Sequence, residues 1–197
     1  SLILSLGPKP KDTAWLEGVP VPAYVQDTAS GHIDDTSWEI GHFLNLATHC
    51  NPTILEVFVA PVETATDDGM RLRELLPYVW NPKAVRDAFG GYGVNQRKKM
   101  LDGKDGRGAK YATAYLRVLY QASVLLTERQ LPVSMVDTPV FDTLKRWRAK
   151  DFSLGEVIDT CKMWENKVSI AWPICKQTPD LARVNDFLLD VRRRCWN

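Results

Sequence analysis

Two kinds of side chain are spaced so that they could do chemistry. Asp34, Asp35 and Glu39 lie within six residues, and carboxylates are the groups that hard divalent cations bind. If residues 34–39 are extended, Asp35 and Glu39 share one strand face, because side chains alternate every two residues. If a helix starts at Ser37, Asp35 is its cap instead. Both arrangements are open from sequence. The second kind is basic. Lys110 and Arg117 are seven residues apart, which is two turns along one helix face, and a helix N-terminus near Lys110 favours anions. Arg97-Lys98-Lys99 and Arg192-Arg193-Arg194 add two dense clusters. Phosphate groups suit such rows, while a solvated helix face is the plainer alternative. Tyr92 can stack a base or join the core.

Other chemistries find no support. His42 and His49 are seven apart and make no i,i+4 zinc pair, and no His-Glu-x-x-His occurs. The four cysteines, Cys50, Cys161, Cys175 and Cys195, form no Cys-x-x-Cys pair, so four free thiols in a reducing, cytoplasmic setting are expected. The Asp102–Gly108 stretch is glycine-rich but is not followed by the Gly-Lys-Ser/Thr of a phosphate-binding loop. No Gly-x-Ser-x-Gly elbow is present.

Helices must position most of these groups. The chain has 197 residues, 45% apolar and 25% charged, with 25 basic against 24 acidic side chains. That balance gives no bulk field toward nucleic acid or membrane, and no apolar run approaches the ~20 residues that span a bilayer. Gly7-Pro8-Lys9-Pro10 breaks a short strand over Leu2–Leu6, and Val19-Pro-Val-Pro22 reads as extended chain. A helix capped by Asp35, Thr36 or Ser37 is expected through Leu46, stopped by Asn51-Pro52. Residues 54–59 fit a buried strand or a helical turn. Asp67-Asp68 starts a helix over residues 69–76, and Asn81-Pro82 starts another, which Gly90-Gly91 should loosen. Residues 109–129 form the strongest helix, with Tyr111, Ala114, Tyr115, Val118, Leu119, Ala122, Leu125 and Leu126 as a broad apolar stripe. Ser153 with Glu156 makes a capping box for the next long helix, and Asp180 precedes the last.

The order of these motifs resembles the predicted nucleotidyltransferases of the DNA polymerase β superfamily, bacterial and phage type. The residues that carry the resemblance are Asp34-Asp35-Thr-Ser-Trp-Glu39, Asn51-Pro52-Thr-Ile-Leu55-Glu56, Tyr92 and Gln96 with Lys98-Lys99, Lys110 through Arg117, and Ser153-Leu-Gly-Glu-Val157. They span about residues 33–170. The resemblance implies an α+β, predominantly helical protein: the remainder of a polymerase-β-type nucleotidyltransferase sheet and core over 1–65, then a C-terminal helical bundle over 66–197.

It also implies transfer of a nucleotide from an NTP to an RNA, protein or small-molecule acceptor, with two Mg2+ ions stabilising entering and leaving oxygens. Asp35 and Glu39 become candidate catalytic and metal-binding carboxylates. Tyr92, Gln96, Lys99, Lys110 and Arg117 become candidate substrate-binding residues, and Asn51 and Glu56 shape the site. Family members carry a Gly-Ser turn and an Asp-x-Asp strand, which this sequence lacks before residue 35. The chain is therefore expected to begin downstream of that motif, so that residues outside it hold part of the metal. The alternative is a non-catalytic nucleic-acid-binding or protein-interaction module of the same fold.

Overall fold

The computed structural model describes residues 2–5, 25–30, 33–103 and 106–196. The Gly7–Pro10 break and the extended 19–22 stretch lie outside them. The described chain is predominantly helical and falls into two compact units. Both are discontinuous in sequence. The first unit comprises Ser1–His49, Pro61–Trp80 and Pro179–Asn197; the second comprises Cys50–Ala60 and Asn81–Thr178.

In the first unit, β1 (Leu2–Ser5), β2 (Val25–Ser30) and β3 (Ile33–Glu39) pair in the order β1-β3-β2. β3 is parallel to β1 and antiparallel to β2, with Asp35 opposite Thr28 and Glu39 opposite Ser5. This pairing decides the question left open above. Pairing with β2 over residues 33–38 and with β1 over residues 36–39 keeps β3 extended, so α1 (Ile40–Thr48) starts three residues later than Ser37. Its cap is Glu39, not Asp35, Thr36 or Ser37: the Glu39 carboxylate accepts from the His42 amide at 2.8 Å.

Two short helices, α3 (Asp67–Arg73) and α4 (Leu76–Val79), and the long α9 (Leu181–Trp196) complete this unit. Thr66 caps α3, its hydroxyl accepting from the Gly69 amide. In α9, Val184, Phe187, Leu188 and Val191 recur at helical spacing and are buried. With Phe43, Leu44, Leu72 and Val79 they form the unit's apolar core.

In the second unit, α2 (Pro52–Val57) resolves the ambiguous 54–59 segment as helix. Asn51 caps it by accepting from the Thr53 and Ile54 amides, and Pro52 occupies the first turn, where no amide is needed. α5 (Pro82–Asp102) runs unbroken through Gly90-Gly91, contrary to the expected loosening, because it packs along α6 (Gly108–Glu128). Gly93 is where that packing is tightest: a Cβ there would lie 3.0 Å from the Tyr115 ring. Gly103, at φ 58°, ends α5 in the left-handed conformation that glycine adopts without steric cost.

α7 (Phe141–Arg148) and α8 (Leu154–Ala171) pack against α6. Ser153 caps α8 through the Glu156 amide at 3.1 Å. Only half of the expected capping box forms, because the Glu156 carboxylate accepts instead from Arg146 and from Trp147 Nε1.

Candidate functional site

Glu39 ends β3 and is almost fully buried, with 1% of its surface exposed. One carboxylate oxygen accepts from the His42 amide and the other from Arg192 Nη2, each at 2.8 Å. The ion pair to Arg192 joins residues 153 apart in sequence, and both side chains are sealed from solvent. Trp38 stacks on His42 beside this junction, ring centroids 5.5 Å apart. A carboxylate with both oxygens engaged and no access to water does not fit a metal ligand. Asp35 lies four residues upstream in the same strand; its backbone register is the description the structure gives of it.

The second unit brings Glu56 and Arg117 together. Asn51 and Pro52 fix the start of α2, and Glu56 follows on the last turn. Its Oε1 lies 3.1 Å from Arg117 Nη2 and accepts from Gln121 Nε2 at 2.7 Å. Gln121 also donates to the Pro132 carbonyl at 2.9 Å. It is 1% exposed, so one buried amide ties α2, α6 and the 131–135 segment. The Glu56 side chain is 19% exposed and that of Arg117 44%, so the guanidinium is held at its root and still faces solvent.

Lys110 is exposed on the first turn of α6, whose start at Gly108 has no side-chain cap. A 21-residue helix whose N-cap residue, Arg107, makes no side-chain capping bond carries partial positive charge there. On α5, Tyr92 is half-buried, Gln96 is buried and Lys99 is exposed. The Lys99 ammonium sits 5.8 Å from the Tyr111 ring centroid, which links the α5 basic cluster to α6.

Two side-chain contacts in this unit have no counterpart among the motifs of the sequence. Gln121 is four residues beyond Arg117 on the same helix face, a spacing that could have nominated it. Tyr115 donates to Glu165 at 2.6 Å between α6 and α8; nothing local signals this. Burial, and then Glu165, raise the phenol well above its ordinary range.

The Arg192-Arg193-Arg194 run is not one basic patch. Arg192 is buried against Glu39, and Arg194 is bound by Asp68 and Asp190. Arg71 bonds the same two carboxylates, which neutralises that surface. These contacts hold Asp68 and Asp190 below the usual carboxylate range, Arg194 being the largest cause for Asp68 and Arg71 for Asp190.

Among the described residues, no group of three His, Cys, Asp or Glu side chains could hold a metal ion, and no helix is long and apolar enough to cross a membrane. None of the four cysteines is in a disulfide; Cys50 and Cys161 are buried, Cys175 half-buried and Cys195 exposed.

The family model RlaP, the RNA repair pathway DNA polymerase beta family, matches residues 14–148. No curated protein and no solved structure matches the chain.

Proposed function

We propose that this chain, which belongs to the RNA repair pathway DNA polymerase beta family, serves a nucleotidyltransferase that moves a nucleotide from an NTP to an acceptor, RNA foremost. The family match carries this reading, because the matched span contains β3, α2, α5 and every candidate site residue from Asp35 to Arg117. The Glu56–Arg117–Gln121 arrangement supports it.

Phosphate binding is assigned to α6. Glu56 orients the Arg117 guanidinium, and Lys110 stands at the helix start two turns away. A guanidinium held at one nitrogen loses less freedom when it binds phosphate. Lys99 and Tyr92 on α5 are proposed substrate contacts, and Gln96, being buried, positions them.

A divalent metal, proposed as two Mg2+ ions, would supply charge stabilisation at the transferred phosphate. The described residues alone do not fit such a site, so Asp35 is the proposed ligand in this chain, and the remaining carboxylates would come from an Asp-x-Asp strand. Glu39 becomes a positioning residue: it fixes the end of β3 and the start of α1. A setting of reducing, cytoplasmic type is proposed, with which four cysteines outside any disulfide agree.

The engagement of Glu39 also favours a second reading, a non-catalytic nucleic-acid-binding or protein-interaction module of the same family. Transfer of labelled nucleotide by the full-length protein with Mg2+ separates the two. Loss of transfer in Asp35→Ala supports the enzyme. Wild-type transfer in that variant refutes the role of Asp35, and absence of transfer from every NTP in the unaltered protein favours the module.

A further inference from the structure

The second unit carries a cavity of about 560 Å3 near the C-terminal turns of α6 and α8, away from the Glu56–Arg117 contact in sequence and on different residues. Its lining is divided by chemistry. Leu126 and Ala171 are buried at its floor, and Ile170 and Ile174 stand 67% exposed. Arg129, Lys167 and Lys176 line it as well, all exposed, and among the described residues no carboxylate does. The Lys167 ammonium rests 3.7 Å from the Trp164 ring centroid, which pre-places one cation. Ile170 and Ile174, four residues apart, are each two-thirds open to water, the most exposed of the large apolar side chains among the described residues, and they lie side by side with buried Leu126 and Ala171 in one lining.

From this division we propose that the surface docks an acidic amphipathic helix of a partner protein, its apolar face on Ile170 and Ile174 and its carboxylates on Arg129, Lys167 and Lys176. Charge complementarity selects this occupant. A symmetric contact with a second copy would set the same three cations against themselves. A single-stranded nucleic acid would want aromatic faces for its bases, and among the described residues the lining holds no aromatic one. An apolar stripe at i, i+4 and i+7 flanked by glutamates matches both halves of the surface. The proposal is independent of nucleotide transfer.

The probe is a fluorescein-labelled 18-residue helix-forming peptide, designed with that leucine stripe and glutamate flanks, titrated with full-length protein at about 0.1 M salt. Saturable binding is expected. Ile170→Ser/Ile174→Ser and Lys167→Glu/Lys176→Glu should each weaken it about tenfold or more, and these exposed positions leave folding intact by thermal melting. In a Cys195→Ser background, bound peptide should slow alkylation of Cys175, which lines the same cavity. No saturation, equal binding of a peptide with lysine in place of glutamate, unchanged affinity in both double variants, or preferential binding of single-stranded RNA at these residues would overturn it. Sedimentation showing that the protein buries this face against its own copy would do the same.

Discussion

Arg192 of α9 and Glu39 of β3 meet at 2.8 Å with their side chains 1% and 2% exposed. Their carboxylate is also the N-cap of α1, so one buried contact fixes the C-terminal helix, the acidic strand and the first helix.

Removing one partner leaves the other charge buried. Arg192→Ala and Glu39→Ala should each destabilise by about 3–5 kcal/mol, and Glu39→Ala should lose about a further 1 kcal/mol with the cap. The joint replacement Glu39→Leu/Arg192→Met should recover most of the loss apart from the cap. Urea midpoints measure this; additive losses in the double variant would refute the pairing.

Arg117→Ala and Lys110→Ala should raise KM for NTP with little change in kcat, the signature of lost ground-state binding. Glu56→Gln should do so more weakly, since it loosens Arg117 without removing it. Its effect on stability should be about 1 kcal/mol or less, because the guanidinium is nearly half exposed and the pair is screened. Steady-state kinetics against NTP concentration decide between this and a purely structural role, which would leave KM alone.

Two glycines of α5 should respond oppositely to alanine. At Gly93 the new Cβ meets a Tyr115 ring that is buried and bonded to Glu165. It cannot give way cheaply, so Gly93→Ala should cost about 1–3 kcal/mol. At Gly90 nothing lies within 4 Å, and Gly90→Ala should stabilise by about 0.5–1 kcal/mol through backbone entropy. Thermal melting of the two variants checks the signs.

Burial pushes Cys50 up to about 11, partly opposed by a hydrogen bond from the Asn81 backbone, and pushes Cys161 up to about 12, with Glu165 adding to it. Both exceed the ordinary thiol value of 9.0. The folded state therefore holds these protons more tightly than the unfolded chain, and that stability is complete below about pH 9. It should be lost as pH rises from 9 toward 11 and above, seen as a falling urea midpoint. Cys50→Ser/Cys161→Ser should flatten that fall. At neutral pH, mass spectrometry should find iodoacetamide on Cys195 first and on Cys50 and Cys161 last.

Local signals were legible where the physics is local. Asn81-Pro82 and Ser153 each cap the helix they announce, because a cap needs only its own next three amides, whereas Asn51-Pro52, read as the stop of α1, also proves to cap α2. The α6 stripe was readable for the same reason, since Tyr115, Val118, Leu119, Ala122 and Leu125 are all buried. The start of α1 was not, because neighbouring strands hold residues 36–39 extended against their helical alternative. Nor could the sequence separate Arg192 from its two basic neighbours; only a carboxylate 153 positions away does that. Glu56 stands out in the sequence through its place in the Asn-Pro-x-x-Leu-Glu segment, but its partners sit on a helix 61 and 65 residues downstream.

The brevity of α2 has a consequence for how the chain tolerates change in length. Asn51 and Pro52 anchor its first turn, and Glu56 lies just over one turn on. Each added or deleted residue between them would rotate the carboxylate by about 100° around the helix axis, turning it off Arg117 and leaving the Gln121 amide buried opposite an apolar side chain. Loops elsewhere can drift in length at little cost, but this segment should behave as a fixed gauge.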